Sequence, residues 1–106
     1  QRKREEEKRL HEEREILYSE ETDKAISLTN IAQDYDMACK IRAYKEALEL
    51  RADLSDKATV KWIVWAKKKA DWFDSIVARE DELFGKREHE KNEEQKVLKG
   101  SRSYSW

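Results

Sequence analysis

The chain has no proline and only two glycines, Gly85 and Gly100, so the residues that ordinarily punctuate strands and tight turns are almost missing from it. What remains is rich in Ala, Glu, Lys, Leu and Arg, and such a composition favours helix. At 106 residues, with 38% hydrophobic and 44% charged side chains, the chain is one domain at most and its core must be small. The fold class this implies is all-α.

The apolar weight lies in Trp62-Ile-Val-Trp-Ala-Lys-Lys-Lys-Ala-Asp-Trp-Phe-Asp74, which holds three of the four tryptophans. At about 100° per residue, Trp62, Trp65, Ala66, Trp72, Phe73 and Ile76 share an arc of roughly 120°, and Ile63, Ala70 and Val77 widen it. A face that broad touches two neighbours, which makes this segment the expected anchor of the core.

Upstream the pattern thins. Residues 1–15 alternate six basic with six acidic side chains and offer Leu10 as their one large apolar group. Glu5 and Arg9 are spaced as an i,i+4 pair, and alone this stretch is a solvated helix. Leu10, Leu17, Leu28, Ile31 and Tyr35 then fall on one narrow stripe, interrupted by Glu21 and Lys24. A stripe this narrow packs on one partner. That partner is either the helices that follow, in an ordinary antiparallel contact, or a second chain, with Leu10 and Leu17 as the self-association residues of a coiled-coil arm.

From Met37 a second stripe begins, Met37, Ile41, Tyr44 and Leu48. In an unbroken helix it would lie nearly opposite the Leu28–Tyr35 stripe, so a break is expected at 33–36. Asp34 and Asp36 can cap a new N-terminus there, and Thr29-Asn30 lowers helix propensity just before it. The second helix should fade after Leu50, with Ser55 or Asp56 as the next N-cap. A third helix follows from Lys57, with Asp74-Ser75 as a site for a bend and Gly85 as a stop. The architecture expected is an antiparallel three-helix bundle with a long charged N-terminal helix, its helices at about 2–33, 36–52 and 57–84. In domain terms residues 1–15 are a charged helical arm, 16–84 the bundle and 85–106 a charged, largely flexible tail. The expected core is Trp62, Trp65, Phe73, Ile41, Tyr44, Leu48, Ile31 and Tyr35.

The residues that carry chemistry are sparse. The net charge of −1 comes from 23 basic and 24 acidic side chains so finely interspersed that no one-sign field steers the chain to a partner. Cys39 is alone, which rules out an intrachain disulfide and fits a reducing, cytoplasmic setting. His11 and His89 have no neighbour at metal-ligand spacing, and there is no Gly-rich phosphate loop. No catalytic, cofactor or metal site is expected. The feature closest to a ligand signal is Lys67-Lys68-Lys69 between tryptophans, since cationic and aromatic groups together suit single-stranded nucleic acid. Lys67 and Lys68 point away from the aromatic arc, and with Lys57 and Lys61 they make up the candidate basic patch. Arg42 can bridge to Asp71 or Asp74, or mark a ligand surface. No apolar run approaches the roughly 20 residues that span a bilayer, so no membrane partner is expected. The first residues, Gln-Arg-Lys-Arg-Glu, lack an initiator methionine, as expected of a piece of a longer protein.

Ala32-x2-Tyr35-x2-Ala38-x2-Ile41-Arg42-x-Tyr44, followed by Trp62-Ile-Val-Trp-Ala66-x3-Ala70-Asp71-x2-Asp74, resembles the C-terminal helical region of a group of uncharacterised bacterial proteins. There an Arg/Glu-rich helix leads into an I-R-x-Y helix and a W-x2-W-A-x3-A-D-x2-D-P signature. The likeness spans roughly residues 10–78, with Ser75 where the group has proline. It implies a bacterial cytoplasmic protein, linked to mobile elements or DNA, and names no activity. The function expected is a non-catalytic helical interaction or oligomerisation module of a larger bacterial protein, with a protein partner or a weak homodimer formed through the N-terminal helix. The alternative is an accessory nucleic-acid-binding module using the lysine- and tryptophan-rich helix.

Overall fold

The computed structural model describes residues 2–98 and contains two helices, α1 (Arg2–Glu49) and α2 (Lys57–Phe73). The fold is all-α, and the three-helix bundle is corrected to a two-helix hairpin with a wrapped C-terminal segment. Its extents are 81 × 40 × 16 Å, and its radius of gyration of 21.8 Å far exceeds the value of about 13 Å for a compact chain of this length. No helix among the described residues is long and apolar enough to cross a membrane.

The break expected at 33–36 does not occur, because its two capping residues are otherwise engaged. Asp34 turns its carboxylate into a buried ion cluster, and Asp36 pairs with Lys40 one turn along the same helix, at 3.1 Å. With neither proline nor glycine nearby, nothing opposes continuation. The opposed stripes are real, but they face different surroundings on one rod. Ala38 and Asp34 lie on its buried side, whereas Leu28 and Tyr35 stay exposed.

The turn after α1 and the start of α2 follow from carboxylate chemistry. Asp53 accepts hydrogen bonds from the backbone N–H and the hydroxyl of Ser55, at 3.0 and 2.6 Å. Asp56 is the N-cap of α2, accepting from the Ala58 N–H at 3.2 Å and the Thr59 hydroxyl at 2.7 Å. The helices run antiparallel. Tyr44 meets Trp62 edge-on with ring centroids 6.2 Å apart, while Arg42 reaches Asp71 and, beyond the helix end, the Ser75 hydroxyl donates to the Ile31 carbonyl.

The third helix is shortened to Phe73, eleven residues before the expected end at 84. Asp74 takes extended backbone angles and its carboxylate accepts from the N–H groups of Ile76 and Val77, at 2.7 and 3.1 Å. Side-chain bonds to the donors two and three residues on compete with continued helix, so what was expected to be a bend is the end. A tight turn, Asp81 to Gly85, is closed by reciprocal backbone bonds of 3.0 and 2.9 Å, with Gly85 at φ +72°.

The core also differs from expectation. Its buried apolar residues are Ala38, Ile63, Ala66, Ala70 and Trp72, whereas Trp62, Trp65, Tyr44, Ile31 and Tyr35 are all exposed by a third or more. Relative to the expected arc, the buried side of α2 is shifted onto its small residues, Ala66 and Ala70, and Ala38 is the buried apolar residue of α1. Small side chains let the helix axes approach closely, and the large rings are displaced to the flank.

Candidate functional site

Asp34 is the centre of the buried polar structure. Arg87 grips its carboxylate at two points, Nε to Oδ2 at 2.7 Å and Nη2 to Oδ1 at 3.0 Å. His89 places Nδ1 2.8 Å from Oδ2, and the Lys96 ammonium lies 3.1 Å from the same oxygen. Burial pushes the Asp34 carboxyl up, but hydrogen bonds from Arg87, His89 and Lys96 and the Arg87 charge outweigh it, and the group is held below its ordinary value. The remaining donors are also used. Arg87 Nη1 donates to the Lys96 carbonyl at 3.1 Å, and Lys96 Nζ donates to the His89 carbonyl at 2.8 Å. The guanidinium carbon lies 5.1 Å from the Trp72 ring centroid and 4.8 Å from that of Phe73.

These bonds fasten residues 86–98 along α1 as a belt. Asn30 adds a hydrogen bond to the Glu90 carbonyl at 2.9 Å. Of the expected tail 85–106, residues 85–98 are described, with Arg87 buried and His89 half-buried; residues 99–106 lie outside the described residues. Arg87, His89 and Lys96 thus converge on one carboxylate, and the cluster ties α1 to the C-terminal segment. Among the described residues no group of His, Cys, Asp and Glu is placed to hold a metal ion.

A second ion cluster closes the other side of the hairpin. Arg42 pairs with both carboxylates that the sequence offered it, Asp71 at 3.0 Å and Asp74 at 2.7 Å. Lys69 ends its ammonium on the Asp81 carboxylate. It stands 5.8 Å from the Trp65 centroid and 4.9 Å from that of Phe84.

Beside Lys69 lies an apolar groove of about 460 Å³, lined by Tyr44, Trp62, Trp65, Phe73 and Phe84 among others. It is the surface left by the rings that lie off the core. None of the four candidate basic residues lines this groove. Lys57, Lys61, Lys67 and Lys68 are all exposed, with Lys57, Lys61 and Lys68 on one face of α2 and Lys67 on another. Lys68 borders a small cavity shared with Glu80, Asp81 and Glu82, so carboxylates sit against the basic face.

Leu10 and Leu17 lie on the part of α1 that projects beyond the hairpin. Residues 2–26 are exposed throughout, and Ser27 is the first with partial cover. Those 25 positions make a rod of about 37 Å at 1.5 Å per residue. Set against protein-family models, curated proteins and solved structures, the chain finds no significant match in any of the three comparisons.

Proposed function

We propose that the chain is a non-catalytic helical interaction and oligomerisation module working through the projecting arm of α1. The observation that carries this reading is the arm itself, with Leu10 and Leu17 exposed at 53% and 64% on a helix that receives no support from the rest of the fold. A lone helix of this length is marginal in water, and covering its apolar stripe against another helix is what stabilises it. The buried ion clusters fit the same role, since they brace a scaffold. The resemblance of the Ile41-Arg42-x-Tyr44 and Trp62–Asp74 segments to a bacterial group supplies the setting, a bacterial cytoplasmic protein of which this chain is a part. Sedimentation equilibrium of the whole chain against its Leu10→Glu/Leu17→Glu variant tests the role. Concentration-dependent self-association that the variant abolishes is expected, and a strict monomer in both ends the oligomerisation reading.

A further inference from the structure

Because α1 does not break, the stripe that begins at Leu10 continues in register to Tyr35, and its order can be read as one seam. Leu10, Leu17, Glu21, Lys24, Leu28 and Tyr35 lie within about 60° of one another at 100° per residue. The gaps between them are seven, four, three, four and seven residues. The seam is a palindrome about the midpoint between Thr22 and Asp23. Across that midpoint Leu10 is matched with Tyr35 and Leu17 with Leu28, while Ile31, at the edge of the stripe, is matched with Arg14. The one charged couple that interrupts the seam, Glu21 and Lys24, is matched with opposite signs.

We infer that the partner of the arm is a second copy of this chain, packed antiparallel along α1 so that each residue faces the one whose number completes 45. This rests on the oligomerisation reading and adds its partner, orientation and register. In the antiparallel arrangement the two heptad positions of the seam face each other. Leu10 then meets the partner's Tyr35, Leu17 meets the partner's Leu28, and Glu21 meets the partner's Lys24 twice over. A parallel, in-register pair would instead set Glu21 on the partner's Glu21 and Lys24 on the partner's Lys24, so charge selects against it. The flanking positions agree, because Arg14 falls opposite the partner's Ile31, where its aliphatic stem can lie over the side chain.

The surfaces needed are open. Leu28 and Tyr35 are 65% and 41% exposed although they sit on the body of the hairpin. The exposed face of α1 carries its own ion pairs, Arg9 with Glu13, His11 with Glu15 and Asp36 with Lys40, and none among the described residues takes Glu21 or Lys24. The overlap from residue 10 to 35 is about 39 Å of helix. Each arm would lie against the partner's 27–35 segment, on the flank away from the Tyr44–Phe84 groove.

The test uses the full chain. By sedimentation at low salt, Glu21→Lys and Lys24→Glu should each weaken dimerisation roughly tenfold or more, since two attractive contacts become two repulsive ones. The combined Glu21→Lys/Lys24→Glu swap should return affinity close to the starting value, and molar salt should shrink all these differences. The Trp72 core should stay folded in every variant, as its thermal melt reports, while helix content falls only where the arm loses its partner. In a Cys39→Ala background, Leu17→Cys chains should form a disulfide only when mixed with Leu28→Cys chains. A dimer whose Leu17→Cys chains couple to themselves, or whose affinity ignores Glu21→Lys, overturns the antiparallel register while leaving an oligomerisation module. A monomer at millimolar concentration overturns both.

Discussion

Asp34 and Arg87, 53 residues apart, meet through two hydrogen bonds of 2.7 and 3.0 Å with side chains 2% and 4% exposed. A buried pair of this kind gains little over an apolar substitute, but breaking it strands a charge. Asp34→Ala should therefore cost about 3–5 kcal/mol, because Arg87 and Lys96 would both lose their anion. Urea unfolding gives the figure, and a loss under about 1 kcal/mol would show that the cluster is solvated in practice.

The same carboxylates set the acid response. Asp34 lies below its ordinary value, and Asp81 is held at about 2 by the Lys69 hydrogen bond first and then by the Phe84 N–H. A folded-state value below the unfolded one means that the stabilisation is complete above about pH 4 and is lost as pH falls through the folded value. Stability should be flat from pH 7 down to about 5 and should drop between about pH 4 and 2. Asp81→Asn should flatten part of that drop; a slope identical to that of the unsubstituted chain would exclude Asp81 as its source.

Trp72 and Trp65 separate the observed core from the expected one. Trp72 is 3% exposed and its indole N–H donates to the Gly85 carbonyl at 2.8 Å, whereas Trp65 is 52% exposed. Trp72→Ala should cost about 3–5 kcal/mol, as large aromatic truncations in a core do. Trp65→Ala should cost about 1 kcal/mol or less. Thermal melts that rank the two in the opposite order would place the core back on the outer rings.

Helix was legible because nothing in the composition opposes it, and the N-cap at Asp56 was legible because a cluster of carboxylate and hydroxyl residues preceded an amphipathic run. The shift in the buried side of α2 was not. Ring size marked Trp62 and Trp65 as core, but close approach of two helices is governed by alanines, and Ala38, Ala66 and Ala70 carry little signal of their own. The Asp34 cluster was hidden for a different reason. In a chain that is 44% charged, one aspartate that will be buried looks like all the others, and its partners are more than fifty residues away. The one local clue is that Asp34 and Ala38 share a face one turn apart.

Two backbone positions near the belt predict opposite substitutions. Ala78 adopts φ +50° and Gly85 φ +72°, a region that costs a residue with a Cβ about 1–2 kcal/mol. Ala78→Gly should raise stability by up to about 1 kcal/mol, the relief being partly offset by the greater entropy of glycine in the unfolded chain. Gly85→Ala should lower it by a similar amount, though its Cβ would meet nothing within 4 Å. Equal and negligible changes at both positions would argue that the turn relaxes freely.

The belt has neither helix nor strand of its own, and that fixes its place in time. Its bonds to Asn30 and Asp34 on α1 and its stacking on Trp72 have no template until the hairpin exists, so the belt closes its long loop last. In native-state hydrogen exchange the amides of residues 86–98 should open at lower free energy than those of Ala66 and Ala70, and equal protection would mean a single cooperative unit. A nascent chain would thus complete its rod and hairpin before it could lock them, and the lock is closed by residues that leave the ribosome after both helices.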